Sequence, residues 1–247
     1  MTDEELKIYL ENINKITTLL NENEKLIRKA GFNPPETNFV VDKDKRIGIP
    51  AGYIRKSGDF WSKYRLNEIA VERNTKNNIS YALQLSDYYN FIVNRFNIWG
   101  SIEIVLYKQM FVNIVSIIEA LILECASNIN LHCRKCPKIG RCENNINKEE
   151  RNNMKLAIEK LRELGILIFN ETEKQRLIEL YDLRNKVHIR LNKQNEFLDN
   201  KYNQKLYNEA IVYLKRIDEM IFVNGIQYYK KCVGFKDKMK GNTNSDL

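Results

Sequence analysis

The stretch Ile102–Leu123, IEIVLYKQMFVNIVSIIEALIL, decides the fold. It is apolar nearly all round, too long for one strand, and free of Pro and Gly. Such a segment predicts a helix surrounded by other helices, over about Ser101–Asn128. Glu103, Lys108, Gln109, Asn113, Ser116 and Glu119 interrupt it. That many polar groups would be costly in hydrocarbon, so a buried core helix is expected and not a membrane span. Asn113, Ser116 and Glu119 recur every three residues and form one polar ridge, which either faces water or lines a polar cleft.

The rest of the chain supplies the surrounding helices. Gly and Pro number only 10 and 4 in 247 residues, too few turn formers for a β-sandwich or an α/β fold. The expected class is all-α, an antiparallel helical bundle with a small N-terminal extension and a Cys-rich inter-helix loop. A first helix is predicted over Asp3–Lys29, with Leu6, Tyr9, Ile13, Ile16 and Leu20 in one stripe and Gly31, Pro34 and Pro35 as the stop. Phe39-Val40-Val41 and Ile47-Gly48-Ile49 flank a polar turn and suggest a small β-hairpin. In the helical region 60–99, Tyr81, Leu85, Tyr88, Ile92, Phe96 and Trp99 alternate by three and four, predicting a face packed on a partner helix. After the cysteine loop a helix is expected over Lys148–Leu164, with a break at Gly165. Asn170 and Glu173 form a capping arrangement for a helix reaching Leu191. A last helix is expected over Asn203–Tyr229. The domain reading is residues 1–98 as the extension, 99–229 as the bundle with the Cys-rich loop at 125–142, and 230–247 as a basic flexible tail.

A net charge of +8 favours contact with polyanions, because neutralised phosphates release counterions. It equally suits a protein whose lysines point at water. Met1-Thr2-Asp3-Glu4-Glu5 lacks the basic and then apolar opening of a signal peptide, so the expectation is a cytoplasmic protein with no membrane partner. Five cysteines, mostly clustered, fit a reducing compartment with a metal site better than a disulfide framework.

Cys133 and Cys136 have the two-residue gap that lets two thiolates share one tetrahedral ion, and Cys142 is near enough to be a third ligand. For the fourth, Cys125 is first choice, followed by His132 and Cys232. A structural zinc is the expectation for this loop, with an iron–sulfur cluster or a set of reduced thiols as alternatives. Arg134, Lys135, Lys138 and Arg141 also make the loop basic.

The strongest functional clue lies in the helix predicted from Glu171. At about 100° per residue, Leu177, Leu180, Tyr181, Val187 and Leu191 share one seam, and Arg184 and His188 fall within about 20° of its centre. A buried guanidinium costs several kcal/mol unless it is paired and hydrogen-bonded. A carboxylate such as Glu119 or an anionic ligand must offset that cost. His is a natural proton shuttle near neutral pH, and Arg a natural stabiliser of charge on a phosphate. Taken alone, such a pair is more often a core Arg–His–Glu network that locks helix packing.

Leu183-Arg184-Asn185-Lys186-Val187-His188, late in an all-α chain, resembles the signature of the HEPN (higher eukaryote and prokaryote nucleotide-binding) superfamily. The resemblance implies a helical bundle and a metal-independent endoribonuclease, commonly a dimer with two motifs facing a shared cleft. It also implies a role in toxin–antitoxin or antiviral defence systems, with an antitoxin or another defence protein as partner. Arg184 matches the motif Arg, Asn185 the polar residue after it and His188 the motif His. Glu119 is the candidate for the acidic residue that the family often carries on an earlier core helix. The chain departs from the pattern in spacing: three residues separate Arg184 from His188, where four to six are usual. The expected catalytic set is Arg184, Asn185, His188 and Glu119, acting on RNA, with no cofactor required for catalysis. The rival is a non-catalytic helical module that binds a nucleotide, RNA or a protein partner and carries a structural zinc. A metalloprotein with its chemistry in the cysteine loop is the third reading.

Overall fold

The computed structural model describes residues 1–31, 46–66, 73–134, 145–186, 201–225 and 228. Among them are seven α-helices and no strand: α1 (Asp3–Lys29), α2 (Ser57–Lys63), α3 (Arg73–Arg95), α4 (Gly100–Arg134), α5 (Met154–Glu163), α6 (Glu171–Asn185) and α7 (Gln204–Met220). A π-helical turn, Ile221–Gly225, continues α7. The all-α class is as expected. Ile47–Ile49 form no strand, and Phe39-Val40-Val41 lie outside the described residues.

The chain divides into two compact units, Met1–Ile49 and Pro50–Leu247. The expected boundary near residue 98 is therefore corrected. α2 packs on α3, and α3 packs along α4, so residues 57–95 belong with the bundle.

In the first unit, α1 occupies the predicted span. The Thr2 hydroxyl accepts from the Glu5 amide, while Glu5 accepts in return from the Thr2 amide. This reciprocal box satisfies two of the amides that every helix start leaves open. Gly31 follows with φ +86°, a left-handed turn that suits a residue without a Cβ. No residue of α1 is buried.

In the second unit, α4 is the axis. It packs against α3, α5, α6 and α7. Phe111, Val115, Ile118, Leu121, Ile122 and Ile129 are wholly buried along it. By length and composition α4 could cross a membrane, with mean hydropathy 1.8, but 56% of its most apolar window is buried inside the bundle. Its apolar character is used in covering its own neighbours. α7 buries the predicted stripe: Leu206, Ala210, Tyr213, Leu214 and Ile217 all face inward.

The turn between α5 and α6 also follows the sequence. Gly165 has φ +69°, and the amides of Gly165 and Ile166 donate back to Arg162 and Leu161. Asn170 then caps α6, its side chain accepting from the Glu173 amide at 2.8 Å.

α3 departs from expectation. Tyr81, Leu85, Tyr88, Phe96 and Trp99 are exposed, and the buried residues are Ile79, Ser80, Leu83, Ser86 and Asp87. The reason is close packing on neighbouring segments. Serines let two backbones approach closely, and every buried polar group here finds a partner. Ser80 donates to the Lys76 carbonyl and Ser86 to that of Ala82. The Asn113 amide donates to the Ala82 carbonyl at 2.7 Å and to the Ser86 hydroxyl at 2.8 Å. Asp87 receives Arg55 through both its guanidinium and its backbone amide, at 2.8 and 3.0 Å.

Burial alone would raise the pKa of Asp87, but the hydrogen bonds from Arg55 outweigh it and hold the carboxyl below the usual range. A depressed folded pKa means stability that is fully present above the unfolded value near pH 4 and lost as pH falls through the folded one. Asp87→Ala should therefore cost about 2 kcal/mol at pH 7, allowing for the partial exposure of Arg55. In urea unfolding, the gap between wild type and variant should narrow steadily below pH 4. A gap that is constant with pH would show that the ion pair contributes nothing beyond packing.

Candidate functional site

The polar ridge of α4 neither faces open water nor lines an empty cleft. It forms the seam by which α4 holds two other helices. Asn113 bonds to α3, as above, while Ser116 and Glu119 reach α6. All three are half-buried. Ser116 donates to the Val112 carbonyl at 2.8 Å, which leaves its oxygen free to accept.

Arg184 is what they meet. Its Nε and Nη2 donate to the Ser116 hydroxyl at 3.2 and 3.1 Å. Nη2 also stands 3.2 Å from the Glu119 carboxylate. On the other edge, Nη1 donates to the Asn185 side chain at 2.9 Å. Three of the four expected catalytic residues thus meet through Arg184, which touches Glu119 across the α4–α6 interface and Asn185 on its own helix. The side chain of Arg184 remains 29% exposed and that of Glu119 21%, so the pair sits at the rim of the core and not within it. This corrects the expectation of a guanidinium at the centre of a buried seam. Leu177 and Leu180 do form that seam, but α6 turns its last residues outward.

The helix also ends earlier than predicted. α6 stops at Asn185, and the Lys186 amide caps it by donating to the carbonyls of Asp182, Leu183 and Arg184. His188 lies outside the described residues, as do Val187 and Leu191. The count that set His188 beside Arg184 assumed an unbroken helix to Leu191 and holds only to Asn185.

On the neighbouring surface, Lys155 of α5 pairs with Asp182 at 2.8 Å. Further along α6, Lys174 bridges Glu159 and Glu171, and Arg176 forms a fork with Glu209. The opposed charges along α6 are therefore largely matched within the bundle. A concavity of about 450 Å³ opens at the α5–α6 turn, lined by Arg162, Glu163, Gly165 and Phe169 among others. It shares no residue with the Arg184 cluster.

Sequence reasoning missed Asp218 on α7. Burial pushes its carboxyl up to about 6, against the opposing pull of Arg65 and Lys63. No motif or spacing marks it, since the effect arises from packing between distant segments.

For the metal, the structure removes one ligand. α4 runs unbroken through both Cys125 and Cys133. Eight residues of helix separate them by about 12 Å, whereas two thiolates on one zinc lie at most about 4.6 Å apart. Cys125 is also packed in the core, where burial pushes its thiol up to about 12 and keeps it protonated. Cys125 is therefore a core side chain and not the fourth ligand. Cys136, Cys142 and Cys232 lie outside the described residues, as does the basic tail 230–247. Among the described residues no group of three or more His, Cys, Asp or Glu side chains is set to hold an ion.

No family model, no curated protein and no solved structure matches the chain.

The Arg184–Glu119 contact is directly measurable. A double-mutant cycle of Arg184→Ala and Glu119→Ala should give a coupling energy of about 1 kcal/mol, as befits a half-buried pair shared with a hydroxyl. Additive effects would mean that Ser116 alone orients the guanidinium.

Proposed function

We propose that this chain is an RNA-directed protein of HEPN-like character, acting in the cytoplasm as a metal-independent endoribonuclease of the toxin or phage-defence type. The supporting observation is the setting of Arg184. A guanidinium is fixed in orientation by a hydroxyl and a carboxylate from the central helix, yet its side chain stays 29% exposed. A phosphate that displaces the Asn185 side chain from Nη1 would be held there, with Glu119 and Ser116 setting the plane.

In the proposed reaction His188 takes the proton of the RNA 2′-hydroxyl, whose oxygen attacks the adjacent phosphorus as the bond to the 5′-oxygen breaks. Arg184 stabilises the charge that builds on the phosphoryl oxygens. The leaving 5′-oxygen takes a proton back from the His188 imidazolium through solvent, so the products are a cyclic phosphate and a 5′-hydroxyl end. Two chains bring their motifs to one cleft, and an antitoxin or another defence protein restrains them. The net charge of +8 suits an RNA substrate.

A second reading has its own observation. Ser116, Glu119 and Asn185 already engage three nitrogens of Arg184, as they would in an arginine that only locks two helices. Its place in the last turn of α6 also suits a cation for reasons of helix dipole alone. On that reading the chain is a non-catalytic module for a nucleotide, RNA or a protein partner.

His188→Ala separates the two readings. The first expects RNA cleavage to fall by at least about a hundredfold, with RNA binding and melting temperature unchanged. Undiminished cleavage by the folded variant would end the nuclease reading. An inactive wild type that still binds RNA would favour the module.

We further propose that Cys133, Cys136 and Cys142 bind a structural zinc, with His132 or Cys232 completing the tetrahedron. Protein purified without chelator should carry about one zinc per chain, and Cys136→Ser should remove it. Metal content near zero in the wild type would refute the site. Loss of activity on gentle zinc removal, with folding retained, would move the chemistry to the cysteine loop.

A further inference from the structure

α3 keeps its aromatic residues outside. At about 100° per residue, Asn77, Tyr81, Leu85, Tyr88, Ile92 and Arg95 lie within about 80° of one another on it. Tyr81 and Tyr88 are 57% and 38% exposed, while serines and an aspartate are buried in their stead. Tyr81, Tyr88 and Arg95 recur every seven residues, so two rings and a guanidinium follow one line at steps of about 10 Å.

This face opens on the side of the bundle that carries Arg184. α3 turns Ala82 and Ser86 to α4, Asn90 to Tyr207 of α7 and Asp87 to Arg55. The tyrosine face therefore points away from α7. On α4, Asn113 holds α3, and one turn further Ser116 holds Arg184. Val105 and Gln109 point between the directions of Asn113 and Glu119, and both are exposed. α7 meets the other side of α4, where Tyr107 packs on Tyr207.

No unmatched acid lies on this face among the described residues. Asp87, the only acid of α3, pairs with Arg55, and Glu119 pairs with Arg184. Glu103 lies toward Tyr107, on the α7 side. Asp59, across on α2, accepts from the Lys56 amide. Against these α3 carries Arg73, Lys76 and Arg95, the last standing over the Tyr53 ring at 5.3 Å. Exposed tyrosines among amides and arginines suit nucleobases, because every base has a π face that a ring or a guanidinium can cover. We propose that this face binds single-stranded RNA, with bases stacked on Tyr81 and Tyr88 and the phosphate backbone passing toward Arg184. The choice of ligand rests on the RNA-directed reading above, but the contact needs no cleavage.

Fluorescence anisotropy with a labelled oligoadenylate of about twelve nucleotides tests it. The full chain carrying His188→Ala serves as parent, so that the probe is not consumed. Tyr81→Ala with Tyr88→Ala should raise the Kd at least about tenfold. Tyr81→Phe with Tyr88→Phe should hold it within about twofold, because the ring does the stacking. Asn77→Glu with Gln109→Glu removes no ring and should also weaken binding, by less at 1 M salt. Val212→Asp, on exposed α7, should leave the Kd within about twofold of the parent. An unaltered Kd in the Ala variant, shown folded by circular dichroism, overturns the proposal, as does a parent that fails to bind at micromolar concentration. Equal affinity for duplex RNA of the same length, or equal loss in the Phe variant, overturns stacking. A dimer that the Ala variant loses while its Kd stays unaltered would assign the face to a second copy instead. Wild type that cuts RNA, with a Kd indifferent to the tyrosines, would keep the nuclease reading and remove this face. A tyrosine-dependent Kd in a chain that cuts nothing would do the reverse.

Discussion

A helix that is apolar nearly all round must be covered along most of its surface, and α4 imposes that condition on the second unit. It is 35 residues long, and its side chains turn inward toward four different helices. Each of those helices needs only one apolar face, and two of the sequences show it: α7 is strongly amphipathic, and α5 buries Met154, Ala157, Ile158 and Leu161 on one side. The burden of hydrophobicity is thus concentrated in one element, which lets the shell remain polar enough to carry a surplus of lysine. It also explains how a segment that meets the length and composition of a membrane span sits at the centre of a bundle.

Such a core is slippery, because apolar surfaces of similar volume can slide by a turn at little cost. The polar ridge of α4 opposes that. Asn113 accepts only one placement of α3, in which the Ala82 carbonyl and Ser86 hydroxyl are both within reach. Ser116 and Glu119 accept only one placement of α6, fixed by the fork of Arg184. Sliding either helix by one turn would leave half-buried polar groups unpaired, at a cost of roughly 1–3 kcal/mol each. The ridge therefore sets the register of the helices, while the apolar residues supply the adhesion. Arg55 and Asp87 do the same for the segment leading into α2.

These two roles account for what could be read from the sequence. Periodicity and capping gave α1, the centre of α4, the start of α6 and the buried face of α7, because each depends on residues close in the chain. The pairing of Arg184 with Glu119 was also legible, since a cation on an apolar stripe demands a counter-charge and few core carboxylates were on offer. The face of α3 was not. Tyr81, Leu85 and Tyr88 outrank Ser80, Ser86 and Asp87 on any hydrophobic scale, yet the latter three are buried. What decided it was close approach to α4 and partners more than 25 residues away, neither of which is visible in a local pattern. The limit of α6 and the separation of Cys125 from Cys133 were missed for a related reason. Each turned on where a helix stops, and neither Gly nor Pro marks those points.

The end of α6 bears on the functional reading more than the contacts of Arg184 do. A short Arg–His spacing counts against catalysis only if both residues belong to one helix, where a missing residue turns a side chain by about 100°. The same helical count was also the reason for placing His188 on the face of Arg184. Since α6 ends at Asn185, both inferences lose their common premise. The favourable geometry and the unfavourable spacing fall together, and what remains is a guanidinium oriented from below by Glu119 and Ser116, with His188 only four positions along the chain. The spacing of the motif then counts neither for nor against catalysis.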